Sequence, residues 1–426
     1  MKITHGLAVG AMIALGACST DSVAPPLAQT PAGDCAALAS LPIRDGAVTS
    51  ATMVQPGSGQ AGATPYCRVQ LVLRPEPGSN IKVEVWLPEA GRWNGKFLGT
   101  GNGGAAGSIQ TGALLQGLAR GYAVANTDMG SSSGRGGLNF GFAVGRPDLA
   151  KDFSYRSTDG MTLEGKRVTA AYYGQAPRFS YFQGCSTGGY QAWEQIHRLP
   201  DQYDGVVAGA AANDRPNLHM TRIWNEQHNL ASPEATIPRA KLAVVQKATT
   251  ARCDGLDGVK DGIIGDPRRC DFDPASIQCA AGDGPDCLTA PQAATMRAVY
   301  AGPSNPRTGA VVYPGFERGA EAAIDLQWSS KIGPGGKVVV KDNLINWSER
   351  YQKAHPEGVG FDFDRDVQAV NADLAPMMNY TDPKLARFQR AGGKVLMWHG
   401  WADGLVPARR SVTYYEEIAR ANGGFA

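Results

Sequence analysis

The sequence lacks a strong imbalance of charge. Its 426 residues carry a formal net charge of +2, and only 19% of them are charged. It has no run of basic residues and no interleaved array of basic and aromatic residues, which are the usual marks of nucleic-acid binding. We therefore expect no nucleic-acid partner.

Long hydrophobic runs are also missing after the N-terminal segment. No later segment is apolar over the length that a membrane-spanning helix needs, and no internal repeat is visible. Hydrophobic residues nevertheless make up 43% of the chain, which is enough to bury one large core or two moderate ones.

The first residues have the pattern of an export signal. Lys2 supplies the positive end, GLAVGAMIALGA is a short apolar core, and LGAC ends at Cys18. LGAC resembles a bacterial lipobox, in which the cysteine is acylated; an ordinary secretory signal with a chance cysteine is the alternative. Both predict a signal peptide over 1–17 and export, either as a periplasmic or outer-membrane lipoprotein anchored at Cys18 or as a secreted protein. Residues 18–34 are polar and Pro-rich, as in a tether.

The eight cysteines are the next signal, because export favours disulfides. Proximity in sequence suggests Cys253–Cys270 and Cys279–Cys287 as local links, and Cys35–Cys67 as a link that closes the N-terminal region. If Cys18 carries lipid, Cys185 is left without a partner.

The order of predicted elements indicates an α/β protein. From about residue 65 to 128, strand-like segments alternate with glycine turns, and a helix precedes the apolar segment RFSYFQG. Strand, sharp turn, helix and strand then follow, as in a mostly parallel sheet. Residues 211–372 break this rhythm and are predicted to be an inserted lid domain. Residues 35–210 and 373–426 would together form the main domain.

A G-x-S-x-G motif at Gly184–Gly188 lies between a predicted strand and a predicted helix. This context is typical of a nucleophile elbow, which would expose Ser186 Oγ above the sheet and aim the Thr187 N–H at an oxyanion. Taken alone, the motif is common in glycine-rich chains and usually has no function there. A second oxyanion donor is expected in FLGTGNGGAAG, from Gly103 in preference to Gly104, although a plain glycine turn would have the same sequence.

Asp403 follows the apolar segment KVLMWHG and is the candidate acid of a catalytic triad, since a carboxylate there would orient a histidine. A turn aspartate in ADG is the alternative. No histidine occurs after His399. His399 itself is a weak candidate for the base, because it lies only four residues before Asp403.

GCSTGG, HGWADGLVP and an aspartate cluster between Cys253 and Cys270 together resemble the tannase and feruloyl esterase family of α/β hydrolases, from about Cys35 to the C-terminus. The resemblance implies an α/β-hydrolase fold with a large lid. It also implies a serine carboxylic ester hydrolase that acts on small aromatic or phenolic esters. Ser186 would be the nucleophile and Asp403 the acid.

In that family, the cysteine before the serine is bonded to a cysteine that follows the triad histidine. That histidine and the cysteine after it would lie beyond Ala426, so the resemblance implies a C-terminally truncated chain of weak or no activity, in which Cys185 lacks its partner. The alternative is an inactive exported lipoprotein that keeps the hydrolase fold as a binding module. A third interpretation, Cys185 as a thiol nucleophile, fits poorly, because the motif centres its turn on Ser186.

Asp254, Asp257 and Asp261 lie within eight residues, inside the predicted Cys253–Cys270 link. Clustered carboxylates in a looping backbone suit Ca²⁺, whereas a solvated acidic turn is the alternative. The resemblance implies a structural calcium site in the lid. Its ligands would be the three carboxylates together with the main-chain carbonyls of Val259 and Ile263.

Overall fold

The computed structural model describes residues 33–57, 64–131, 137–328 and 332–424. The predicted signal peptide, Cys18 and all but the last two residues of the predicted tether lie outside these ranges. No helix in the described ranges is long and apolar enough to cross a membrane.

Eight strands form one sheet. They are Gly46–Val54 (β1), Tyr66–Leu73 (β2), Ile81–Pro88 (β3), Lys96–Thr100 (β4), Ala123–Thr127 (β5), Phe179–Cys185 (β6), Gly205–Gly209 (β7) and Lys394–Trp398 (β8).

The α-helices of the described residues are Thr111–Ala119 (α1), Pro147–Lys151 (α2), Ser157–Tyr173 (α3), Thr187–Arg198 (α4), Arg215–Asn229 (α5), Arg239–Cys253 (α6), Ala290–Ala301 (α7), Glu349–Ala354 (α8), Asp366–Met378 (α9), Ala386–Arg390 (α10) and Arg409–Ala421 (α11).

The strand order is β1-β2-β3-β5-β4-β6-β7-β8. The pairs from β5 through β4, β6 and β7 to β8 are parallel, whereas β1, β2, β3 and β5 pair antiparallel. The α/β class expected from the sequence is confirmed. The sequence-based prediction did not include β1, whose residues are half-buried or exposed and so give little hydrophobic signal.

The central strands are buried on both faces. All five residues of β5 and seven of the eight residues of β3 are buried, as expected for strands covered by helices. Helix α3 packs against β3, β4 and β5 on one face, and α1 packs against the same strands. These apolar runs explain why the sequence identifies this part of the sheet.

Helices α5 to α10 occupy the long connection between β7 and β8, where the sequence predicts the lid. This segment has an apolar cluster of its own, which includes Leu242, Val245, Phe272 and Met296. Another cluster joins it to the main domain through Phe140 and other residues. The predicted boundary at residue 372 falls inside α9, so that helix continues across it.

Three disulfides occur in the structure: Cys35–Cys67, Cys253–Cys270 and Cys279–Cys287. They are the pairs that proximity in sequence suggests. The first ties the N-terminal segment to β2, and the other two lie in the segment between β7 and β8. Cys185 is exposed and is a free thiol.

The turn from β6 into α4 depends on glycines. A Cβ on Gly184 would lie 2.4 Å from the carbonyl carbon of Gly188, and a Cβ on Gly101 would lie 2.4 Å from Gly188 Cα. Backbone therefore packs directly on backbone where β4, β6 and α4 meet, and no side chain fits between them.

We predict that Gly184→Ala destabilises the protein by about 1–3 kcal/mol, because the added methyl overlaps backbone atoms that cannot move independently. Urea unfolding would measure the loss. Gly112→Ala is the matched control: it lies in α1 with nothing within 4 Å of its Cβ position, and alanine favours helix there. An unchanged unfolding midpoint for Gly184→Ala would contradict the packing described.

Candidate active site

Ser186 occupies the sharp turn between β6 and α4. Its backbone has φ 60° and ψ −116°, a conformation that non-glycine residues adopt only when the surrounding structure holds them there. The Ser186 N–H donates to Gly209 O at 3.0 Å, and the Ser186 carbonyl accepts from the Tyr190 N–H at 3.0 Å. Two neighbouring elements thus fix the strained residue.

The Thr187 N–H has no acceptor among the described residues. The flanking N–H groups are used, since Ser186 donates to Gly209 O and Gly188 donates to Asn102 O at 2.7 Å. The first N–H groups of a helix have no acceptor within it and carry partial positive charge. Thr187 is the first residue of α4, so its N–H is suited to binding a negatively charged oxygen.

The glycine-rich loop after β4 lies against the same turn. The Gln191 side-chain oxygen accepts from the Asn102 N–H at 2.8 Å, and Thr187 Oγ1 donates to Gly104 O at 2.6 Å. Gly104 lines the cavity beside Ser186. The Gly103 carbonyl accepts from the Ala106 N–H at 3.0 Å. The loop is therefore adjacent to Ser186, and the predicted assignment of the donor to Gly103 stays a prediction.

A cavity of about 70 Å³ opens at Ser186. Its described lining is mainly apolar and comes from both the main domain and the segment between β7 and β8. The lining residues are Gly104, Leu138, Phe140, Ser186, Thr187, Ala212, Arg215, Leu218, His219, Arg222, Leu405 and Val406.

Asp403 lies in the turn that follows β8. Its Oδ1 accepts from the Leu405 N–H at 2.8 Å and from the Val406 N–H at 3.0 Å. Burial raises the pKa of Asp403, but hydrogen bonds from His399 and from these N–H groups outweigh burial and leave the pKa below its usual value. Asp403 is thus held as a carboxylate, and the two residues that donate to it also line the cavity at Ser186.

The Asp403 carboxylate acts electrostatically on the thiol of Cys185, the residue before Ser186. Burial raises the Cys185 pKa, and the negative charge of Asp403 raises it further. The electrostatic influence of Asp403 therefore extends to the residue next to Ser186.

His399 is occupied by other partners. Its Nδ1 is 2.7 Å from Ser411 Oγ, and its Nε2 is 2.9 Å from Val406 O and 3.3 Å from Asp403 Oδ2. Neither ring nitrogen bonds to Ser186, whose Oγ has no hydrogen bond to any described residue. His399 therefore does not act as the base in this arrangement.

The other described histidines also lie away from the catalytic geometry, except that His219 lines the cavity. His197 and His228 contact main-chain carbonyls, and His355 Nε2 is 2.7 Å from Asp366 Oδ2. Burial, together with repulsion from Arg215 and Arg222, holds the pKa of His219 well below its usual value. His219 therefore lines the cavity with a neutral side chain.

Sequence reasoning did not identify Arg215, the first residue of α5. Its side chain is only 2% exposed, and Nη2 donates to Thr187 Oγ1 at 3.0 Å. The one available signal was its place shortly after a buried strand, at the end of the sheet where Ser186 also lies.

The acidic loop of the predicted calcium site is exposed. Asp254 Oδ1 accepts from the Gly262 N–H at 2.9 Å, Asp257 Oδ1 from the Val259 N–H at 3.0 Å, and Asp261 Oδ1 from the Ile263 N–H at 3.0 Å. In the described part of the chain, no three His, Cys, Asp or Glu side chains form a group that could hold a metal ion. The oxygen donors have the chemistry that Ca²⁺ prefers, but they are turned toward backbone N–H groups.

Comparison with known proteins gives consistent results. The family model described as tannase and feruloyl esterase matches residues 67–424. An uncharacterised esterase of Xanthomonas campestris pv. campestris is 37% identical over 406 residues, which cover 90% of this chain and 69% of that protein. A probable feruloyl esterase B-2 of Aspergillus flavus is 31% identical over 386 residues, covering 90% and 70%.

The crystal structure of feruloyl esterase B from Aspergillus oryzae superimposes with a TM-score of 0.77. It is 28% identical in sequence, and the match covers 90% of this chain and 77% of that one. The α/β-hydrolase fold implied by the sequence is thereby confirmed. The chain belongs to the tannase and feruloyl esterase family of carboxylic ester hydrolases.

Proposed function

We propose that this protein is a serine carboxylic ester hydrolase for aromatic or phenolic esters, with Ser186 as the nucleophile. The observation that carries the proposal is the strained turn at Ser186, which brings the Ser186 hydroxyl and the Thr187 N–H, neither bonded to a described residue, to one cavity. This is the arrangement that acyl transfer needs, because the attacking oxygen and the oxyanion donor must face the same carbonyl.

The reaction would proceed in two acyl transfers. Ser186 Oγ attacks the ester carbonyl carbon and gives its proton to an imidazole, while the N–H groups of Thr187 and Gly103 stabilise the tetrahedral oxyanion. Collapse of that intermediate breaks the bond to the alcohol, which leaves with the proton. Water then attacks the acyl-enzyme in the same way, releases the acid and restores Ser186.

The proposed reaction needs an imidazole base beside Ser186, and no described histidine occupies that position. Asp403 is ionised and would orient a histidine and stabilise its cation, but none of the five described histidines bonds to Ser186. The family resemblance implies a triad histidine at a position beyond residue 426. We therefore propose that the 426-residue chain has weak or no activity and that a family histidine supplied to the site would restore it.

The lining of the cavity favours an apolar acyl group. Leu138, Phe140, Leu218, Leu405 and Val406 present hydrocarbon surface around Ser186. An aromatic ring would bury this surface, and the relatives named as feruloyl esterases agree with that choice.

The proposal predicts that the 426-residue chain barely hydrolyses methyl gallate or p-nitrophenyl acetate. A fusion carrying the C-terminal segment of the Xanthomonas campestris esterase should hydrolyse them readily. Ser186→Ala in that fusion should lower kcat by roughly 10⁴-fold or more, because the nucleophile is lost. Ser180→Ala, on the same strand β6, is the control and should keep the activity.

Two results would change the assignment. Strong Ser186-dependent turnover by the 426-residue chain would mean that one of its own histidines serves as the base. No turnover by either form, with both folded, would favour the alternative function, a binding module that retains the hydrolase fold.

We also propose a structural Ca²⁺ site in the loop between Cys253 and Cys270. The ligands would be the carboxylates of Asp254, Asp257 and Asp261, with the carbonyls of Val259 and Ile263. Three exposed carboxylates in one short loop repel each other, and a hard cation would relieve that repulsion. The carboxylates would have to turn from their present N–H donors toward the ion.

Adding Ca²⁺ to EDTA-treated protein should raise its melting temperature, since an ion that binds the folded state at 100 times its Kd adds about 2.7 kcal/mol of stability. Asp261→Asn should remove this response. Asp271→Asn should keep it, because Asp271 pairs with Arg252 outside the loop. An identical melting curve with and without Ca²⁺ would favour a solvated acidic turn.

We further propose that the chain is exported and is anchored by lipid at Cys18. The support is the signal pattern of residues 1–17 together with three disulfides in the described domain. In a bacterial host, the natural chain should fractionate with membranes, and Cys18→Ser should move it to the soluble fraction. Equal fractionation of both forms would indicate an ordinary secretory signal.

A further inference from the structure

Arg215 is a buried cation at the centre of the site. It begins α5, the first helix of the segment between β7 and β8, and its side chain is directed at the two backbone segments that flank Ser186. Nη2 donates to Thr187 Oγ1 at 3.0 Å and to Gly104 O at 3.3 Å. Thr187 Oγ1 in turn donates to Gly104 O at 2.6 Å. One nitrogen, one hydroxyl and one carbonyl therefore form a closed triangle.

We propose that Arg215 is a positioning residue for the oxyanion site: it fixes the loop of Gly103 and Gly104 relative to Thr187, so that their N–H groups face one point. The inference rests on the proposed function, because it takes these two segments as the oxyanion donors. The proposal assigns a role in catalysis to the segment between β7 and β8, because Arg215 belongs to its first helix.

The triangle fixes both segments because each member is bonded twice. The Gly104 carbonyl accepts from Thr187 and from Arg215, which fixes Gly104 at a set distance from Thr187. The Thr187 hydroxyl accepts from Arg215 while it donates to Gly104. Displacing the donors by about 1 Å would weaken the oxyanion contact strongly, since catalysis depends on their orientation before the reaction begins.

The environment keeps Arg215 charged and immobile. No carboxylate of the described residues forms a salt bridge with it, and its Nε and Nη1 have no hydrogen-bond partner there. Aromatic rings surround the guanidinium instead, with Cζ 4.9 Å from the ring centroids of Phe153 and Tyr190 and 5.4 Å from that of Phe140. Burial lowers its pKa to about 10, so it remains a cation at neutral pH.

A buried cation without a carboxylate is costly to keep. A methionine or leucine would pack among three aromatic rings without that cost. The two hydrogen bonds from Nη2 are what an apolar residue would lose, and both end on the proposed oxyanion site. The geometry therefore points to a functional reason for the charge.

Hydrogen–deuterium exchange tests the positioning without requiring turnover. In Arg215→Met of the 426-residue chain, peptides covering 101–106 and 186–189 should exchange roughly tenfold faster than in the natural chain, because the triangle opens. Arg215→Lys, which keeps a cationic donor, should show a smaller increase. Arg222→Met is the matched control: Arg222 lines the same cavity from the same helix but pairs with Glu226, and its loss should leave these peptides unchanged.

Kinetics in the active fusion tests the consequence. Arg215→Met should lower kcat roughly 10- to 100-fold with KM changed less than about threefold, since oxyanion contacts act in the transition state. Thr187→Val removes the hydroxyl of the triangle, and Thr187→Ser keeps it. The double variant Arg215→Met/Thr187→Val should be no slower than the worse single variant, because both changes break one unit.

The outcomes separate the two proposals. Unchanged exchange in folded Arg215→Met overturns the positioning role, whether or not the fusion is active. A raised KM with kcat unchanged also overturns it, since Arg215 would then contact substrate. Faster exchange without any Ser186-dependent turnover supports the positioning role and contradicts the ester hydrolase. If Arg215→Met does not fold, the same readings on Arg215→Lys and Thr187→Val decide the matter.

Discussion

The contact of backbone on backbone among Gly101, Gly184 and Gly188 is the constraint on which the site depends. It brings β4, β6 and α4 together more closely than any side chain would allow. The same approach forces Ser186 into a strained conformation, and it joins the loop after β4 to the start of α4 through the bond from Gly188 N–H to Asn102 O. Main-chain contacts therefore hold the proposed nucleophile Ser186 and bring the two proposed oxyanion segments together, and the Arg215 side chain adds a second link between these segments.

The carboxylate of the site is held by a different mechanism. Asp403 is fixed by the N–H groups of its own turn and by His399, all within the stretch from β8 to Val406. It reaches the Ser186 turn because β8 pairs in parallel with β7, and β7 pairs in parallel with β6. The carboxyl ends of these strands lie at one edge of the sheet, so turns that are more than two hundred residues apart in sequence become neighbours.

The segment between β7 and β8 contributes side chains to the site. Its first helix supplies Leu218 and His219 to the cavity wall and Arg215 to the backbone triangle. The segment also packs against the main domain, because Met220 and Ile223 belong to the same apolar cluster as Phe140 and Phe153. Two of the three rings around Arg215, those of Phe140 and Phe153, thus belong to the cluster that joins the segment to the main domain.

Some features of the site could be predicted from single stretches of sequence, and others could not. Ser186 and Thr187 were identifiable as candidates because an elbow is local: strand, turn and helix follow one another without a break from Phe179 to Arg198. Arg215 was not identifiable, since the sequence does not show whether an arginine at the start of a helix is buried or exposed. The choice of Gly103 over Gly104 stays a prediction, because consecutive glycines in a sequence give no sign of which N–H faces the cavity.

The α/β class, the strand–turn–helix arrangement at Ser186 and the pairing of nearby cysteines were predictable from the sequence, since each depends on residue types within short stretches, whereas Asp403 as the acid stays a prediction. Tertiary structure alone decided that His399 is bound to Ser411 and Val406, that β1 extends the sheet, and that a cation from α5 bridges two loops. These depend on which groups meet after distant segments pack, and hydrogen-bond geometry over a few ångströms is not recorded in residue order.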